Sequence, residues 1–317
     1  MLYLAKASIS SVGIEYDSAS IRAARVTSKK SGDDYNFTIE SVKEEKGDFD
    51  KGNKLVESLI KIKQKLSISS KDNVTSSIFG KQVYASQINF RNLPKSELEK
   101  ALRFEIRKNI SFNFANSIID FQILGISDTP KDTITLMVTA VSNLLLNNYM
   151  KIMDHAGIKP SIIDVLPIVI ANVFWTHEFN LLPDTAYVTA YFSTSVCTIV
   201  IDGENVPFYT RNIYFPALEI YTKSSTINDK RITDLLSDLR TELRRSLMYY
   251  EKTYNVSNFS TLYLIGEYAQ APEIINGLTS SIGLKVEYGN LAKKIDPSFQ
   301  TEKGKFDLAI GLALRND

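Results

Sequence analysis

Cysteine is almost absent. The single Cys197 excludes an intramolecular disulfide, and its place in the apolar run Val-Cys-Thr-Ile-Val-Ile reads as a small buried hydrophobe rather than a nucleophile. Histidine is nearly as scarce, and His155 and His177 have no cysteine or histidine at ligand spacing, which leaves a zinc site nothing to rest on. Net charge is lacking too. With 37 Lys and Arg against 36 Asp and Glu the balance is +1, so no broad field favours nucleic acid or an anionic membrane, and a partner must be recognised by shape. No run is apolar for long enough to cross a bilayer. One long uncharged stretch, residues 185–201, holds six Ser or Thr residues and falls short of the roughly 20 apolar residues a span needs, so it reads as paired strands. The start, Met-Leu-Tyr-Leu-Ala-Lys, lacks a basic flank followed by a sustained apolar run; no secretory signal is expected, and the protein reads as cytoplasmic.

What is present is ample core-forming material, 44% hydrophobic in 317 residues, enough for two domains or one duplicated architecture. Residues 9–16, 20–27 and 35–43 read as strands separated by Asp17–Ser18 and Gly32-Asp33-Asp34. A helix at about 52–66 puts Leu55, Leu59, Ile62 and Leu66 on one face. A strand at 134–141 and a helix from Asn143 to about His155, ending at Gly157, close the first half. The scheme then restarts. Residues 186–192, 197–201 and 206–211 read as strands, the last two as a hairpin through Asp202–Gly203. A long helix at about 233–254 aligns Leu235, Leu236, Leu239, Leu243 and Leu247, followed by a strand at 262–265, a helix at 272–282 and a strand at 284–288. The aromatic run Tyr187, Tyr191, Phe192, Phe208, Tyr209, Tyr214 and Phe215 reads as sheet packing, and Arg240, Arg244 and Arg245 as a solvated helix face.

Residues 93–125 form the most distinctive unit. Ser96 and Glu99 have capping-box spacing, Leu98, Ala101, Leu102 and Ile106 make an apolar stripe, and Lys95, Glu97, Glu99, Lys100, Arg103 and Arg107 make the polar side. A loop through Phe112 and Phe114 leads to a strand-like run at 118–126. This order of Leu-Pro, amphipathic helix, then Asp-Phe-Gln-Ile-Leu-Gly resembles the inserted subdomain of the PilM family, the actin-like cytoplasmic proteins of type IV pilus assembly. The resemblance extends along the chain: residues 12–26 are similar to the family's first phosphate loop, 134–141 with 149–167 to its strand-helix passage, 239–251 to its Arg-Arg-Ser-Leu helix, and 262–278 and 309–315 to its last segments.

That resemblance implies a duplicated α/β fold of the actin and hexokinase superfamily. The first half would span 1–181 with a small α/β subdomain inserted at about 82–140, and the second half 182–317 with a shortened subdomain between Arg211 and about residue 232. It also implies a cleft for ATP and magnesium, and there the chain departs from the family. The first loop, Gly13-Ile14-Glu15-Tyr16-Asp17-Ser18, carries Glu15 for the family's Asp and Asp17 for its Gly. Counting back from Asp202–Gly203 puts Thr189 and Tyr191 at the second loop's Asp and Gly, and the paired glycines of the adenosine loop have become Gly266–Glu267. These positions are expected to be a vestigial nucleotide site, with no resident cofactor and no ATPase activity.

The function implied is that of an adaptor, peripheral at the inner membrane through its partner. It would grip the N-terminal cytoplasmic tail of a PilN-like single-pass protein and link it to the pilus motor ATPase and platform protein, without nucleic acid and without direct membrane insertion. In the family the tail lies in a groove beside the inserted subdomain; on this chain the lining is expected from Leu98, Leu102, Arg103, Arg107, Phe121 and Ile123. Two other readings stand beside it: an ATP-binding actin-like ATPase, and the equivalent component of a type II secretion system. An FtsA-like anchor would need an amphipathic tail, and the ending Gly-Leu-Ala-Leu-Arg-Asn-Asp offers none.

Overall fold

In chain order the elements are β1 (Ile9–Tyr16), β2 (Ser20–Ser31), β3 (Asp34–Lys46), α1 (Lys54–Lys65), β4 (Asn73–Ile78), β5 (Val83–Arg91), α2 (Lys95–Ile106), β6 (Ser117–Ser127), β7 (Thr133–Ser142), α3 (Asn143–His155), β8 (Ile162–Val165) and α4 (Leu166–His177). They continue with β9 (Ala186–Phe192), β10 (Val196–Asp202), β11 (Tyr209–Tyr214), α5 (Asp229–Tyr254), β12 (Phe259–Gly266), a 3₁₀ turn (Glu267–Gln270), α6 (Pro272–Thr279), β13 (Lys285–Tyr288), α7 (Leu291–Ile295) and α8 (Asp307–Leu314). This is a computed structural model, and it describes residues 9–31, 34–50, 53–108, 110, 112, 116–127, 132–177, 181–214 and 229–315. Gly32, Asp33, Phe114, Phe215 and most of the expected short connection after Arg211 lie outside the described residues. Two compact units result, one of residues 1–77 with 153–317, the other Ile78–Ile152.

The larger unit holds two sheets of the same design, β3-β2-β1-β4-β8 and β11-β10-β9-β12-β13. In each, three antiparallel strands are extended by parallel pairing, β1 with β4 and β9 with β12. Central strands read as continuous apolar runs because both faces are covered. β9 is buried along its whole length, and its alternate residues Ala186, Val188, Ala190 and Phe192 pack with Leu235, Leu239 and Leu243 of α5. Helix α8 crosses β1 so closely that a methyl on Gly13 would collide with the backbone of Ala309 and Ala313.

The smaller unit is an antiparallel sheet β5-β7-β6 with α2 laid on one face. Leu98, Leu102 and Ile106 of α2 meet Ile134, Leu136 and Val138 of β7, each large aliphatic contributing roughly 1.5–3 kcal/mol on burial.

Two local expectations are corrected. The helix begins at Lys95 with Pro94 at the cap, so Ser96 lies inside the first turn and no side-chain capping bond forms. The Pro94 carbonyl accepts the N–H groups of Glu97 and Leu98, while Leu93 packs into the core that holds Leu98, a hydrophobic staple in place of a capping box. The second-sheet hairpin is also looser. β11 runs Tyr209–Tyr214 because Val206 and Phe208 are buried as anchors of the loop that precedes it, and Asn205 takes a left-handed φ of 62° there.

Candidate functional site

On the smaller unit, the expected groove residues divide by burial. Leu98 and Leu102 are buried in the unit's own core, so they hold α2 on its sheet and do not line a surface. Arg103 is partly exposed, donates to the Ser117 carbonyl at 3.3 Å and lies 3.7 Å from Glu99, while Arg107 is exposed at the end of the helix. Phe121 is partly buried against the core, whereas Ile123 is half exposed. β6 is an edge strand, and it leaves Ile118, Ile123 and Leu124 about half exposed. Phe104, on α2, is more exposed still.

In the larger unit, the expected vestigial nucleotide positions converge on a buried polar junction between the two sheets. Its centre is Arg22 of β2, only 1% exposed. The guanidinium lies 3.5 Å from Glu15 of β1 and 3.3 Å from Glu44 of β3, and donates at 2.7 Å to Glu267 after β12 and at 2.8 Å to the Ser20 hydroxyl. Lys46 donates to Glu267 at 2.5 Å and Lys305 reaches Glu44 at 3.1 Å, so three carboxylates meet three cations. Tyr191 of β9 donates its hydroxyl to Glu15 at 2.6 Å.

The loops that would cradle phosphate are tied by Asp17. Its carboxylate accepts from the backbone N–H of Ala19 and Ser20 at 2.8 Å each, from the Ser20 hydroxyl at 3.2 Å, and from the N–H of Thr194 in the turn between β9 and β10 at 3.2 Å. Asp17 therefore takes the N–H donors that an anion would use. The Ser18 carbonyl accepts from Phe49 N–H, which leaves that turn facing β3. Gly266, with φ of 97°, donates to the Gly304 carbonyl and lies against the Phe192 backbone, where a side chain would collide. Thr189 is not brought to the loops; it stands mid-strand, two residues from Tyr191.

Burial shapes the electrostatics. It pushes the Glu15 carboxyl up to about 7, with Arg22 opposing, and pushes the Asp307 carboxyl up to about 7 as well. Burial acts in the same direction on Glu267, but Arg22 and Lys46 outweigh it and hold that group down at about 2. A magnesium nucleotide does not fit these residues: the cation position is next to a fixed guanidinium, and the carboxylate of Asp17 already fills the donors of both turns. The sequence reading missed Arg22, Glu44 and Lys305. Arg22 is one of two arginines in the strand Ser-Ile-Arg-Ala-Ala-Arg-Val, and its partner Glu267 is 245 residues away.

Among the described residues no helix is long and apolar enough to cross a membrane. Among curated proteins nothing matches the sequence. Among solved structures the chain is similar to one described as a PilM-PilN type IV pilus biogenesis complex, with a TM-score of 0.79 and 19% identity over 96% of this chain and 97% of that one. It is also similar to a Bacteroides thetaiotaomicron protein described as having an actin-like ATPase fold and unknown function, with a TM-score of 0.51 and 12% identity over the whole of both chains. The fold is therefore actin-like α/β. Residues 13–215, well over half of the chain, match the family described as type IV pilus assembly protein PilM, and the chain belongs to that family.

Proposed function

We propose that the chain is a cytoplasmic adaptor of type IV pilus assembly that binds the N-terminal cytoplasmic tail of a PilN-like single-pass protein. That tail holds it at the inner membrane and couples it to the motor ATPase and platform protein. The likeness to the chain solved as a PilM-PilN complex supports the partner. The observation that carries the reading on this chain is the open edge of β6. Among the described residues no further strand pairs with its outer side, which lies beside half-exposed Ile118, Ile123 and Leu124, the combination an extended peptide uses when it adds a strand and fills pockets with alternate side chains. Arg107, and Arg103 beside it, offer charge to an acidic tail. The polar junction of the larger unit, in this reading, is a degenerate nucleotide site, and the protein is not an enzyme.

A synthetic tail peptide at a hundredfold excess over its dissociation constant is expected to stabilise the protein by about 2.7 kcal/mol. Arg107→Glu is expected to weaken that stabilisation and to leave the free protein within about 0.5 kcal/mol of wild type. Arg244→Glu, on α5 in the other unit, is expected to leave peptide binding unchanged. Thermal melts with and without peptide compare them, and loss of the peptide effect in Arg244→Glu alone would place the site elsewhere.

A further inference from the structure

A cavity of about 420 Å³ lies in the larger unit against the second sheet, lined by Phe174 of α4, Thr189 of β9, Tyr263 and Ile265 of β12, Lys294 of α7, and Lys303. The adaptor reading does not use it. Alternation on β9 explains how Thr189 reaches it: Ala186, Val188, Ala190 and Phe192 face the core beneath α5, so Tyr187, Thr189 and Tyr191 face the other way. Both tyrosine hydroxyls on that face are engaged, Tyr187 accepting from the Leu182 N–H at 3.1 Å and Tyr191 donating to Glu15. Thr189 between them is 4% exposed and lines the cavity. A hydroxyl that opens into a cavity is placed to bond whatever enters.

The remaining chemistry narrows the occupant. Phe174 and Tyr263, with centroids 6.0 Å apart, give one end an aromatic wall, and Ile265 adds apolar surface. Exposed Lys294 and Lys303 also line the cavity and bring two positive charges against the one carboxylate of the lining, Glu287, which lies 2.7 Å from Lys285. The volume lies within the range of small-molecule sites. We propose that this cavity binds a small aromatic anion, its ring system against Phe174 and Tyr263, its polar atom on the Thr189 hydroxyl and its anionic group at Lys294 and Lys303.

The probe is 1-anilinonaphthalene-8-sulfonate, followed by fluorescence on the full chain. Expected are one saturable site, an affinity at least tenfold weaker in the exposed double reversal Lys294→Glu with Lys303→Glu, and loss of binding in Ile265→Trp, which fills the cavity. The uncharged analogue N-phenyl-1-naphthylamine is expected to bind more weakly and to ignore the charge reversal. Circular dichroism checks each fold; should Ile265→Trp fail to fold, the charge reversal decides alone. Several non-saturating sites, an affinity unchanged by the charge reversal, or displacement of the probe by the tail peptide would each overturn the assignment.

Discussion

Gly13→Ala is expected to lower stability by about 3 kcal/mol or more, a large fraction of what holds a domain of this kind together. The reason is geometric. β1 and α8 approach so closely that an added methyl meets the main chain of Ala309 and Ala313 and the Cβ of Leu312, none of which can turn aside in a packed helix as the end of a flexible side chain can. Gly125→Ala is the control, since a methyl there meets nothing within 4 Å, and its effect is expected to stay within about 0.5 kcal/mol. Urea unfolding of both variants makes the comparison. Equal midpoints would mean that α8 does not lie on β1 as described. The same result would change the reading of Gly13 itself: the sequence suggested a phosphate loop, whereas the structure uses that glycine to seat a helix.

Arg22→Met is the second variant expected to act strongly, costing about 3–5 kcal/mol because Glu15, Glu44 and Glu267 would lose the cation they share. The pH dependence of that cost separates charge from packing. Without Arg22 the buried Glu15 carboxyl titrates higher still, and a carboxyl whose folded pKa lies above its unfolded value adds stability at low pH that is lost as the pH rises from about 4.5 through the folded value. Glu267 works in the same direction. Its low folded pKa of about 2 now contributes stability above the ordinary carboxylate range, and that contribution shrinks when Arg22 is gone. The variant is therefore expected to be more destabilised at pH 8 than at pH 5, and part of the cost should return in Arg22→Met with Glu15→Gln. A cost independent of pH would make Arg22 a packing residue only.

How much of this was legible depended on how local each cause is. The stripe Leu235, Leu239 and Leu243 announced α5, and the repeat of three strands, helix and strand announced two like sheets, because periodicity records which face is buried. Helix α4, Leu-Pro-Ile-Val-Ile-Ala-Asn-Val-Phe-Trp, went unread as a helix, since an element buried on nearly every side carries no periodicity to read. Ser96 had the right spacing for a cap, but Pro94 fixed the turn first. The polar junction was only half visible. Glu15, Asp17, Tyr191 and Glu267 stood out as departures from a family pattern, and read singly they suggested only a vestigial nucleotide site. The charge pairing among them depends on Arg22, Glu44 and Lys305, which converge only when both sheets have formed.

The central claim is that this chain grips a partner's tail without needing nucleotide, and calorimetry of the tail peptide against the protein, with and without ATP and magnesium, tests it most directly. One-to-one binding of the same affinity in both conditions is the predicted result, together with no micromolar affinity for the nucleotide itself, which would require about −8 kcal/mol from a junction where Asp17 already holds backbone donors of both turns and Arg22 already pairs with Glu267. Peptide binding that appears only when ATP and magnesium are present would contradict the account.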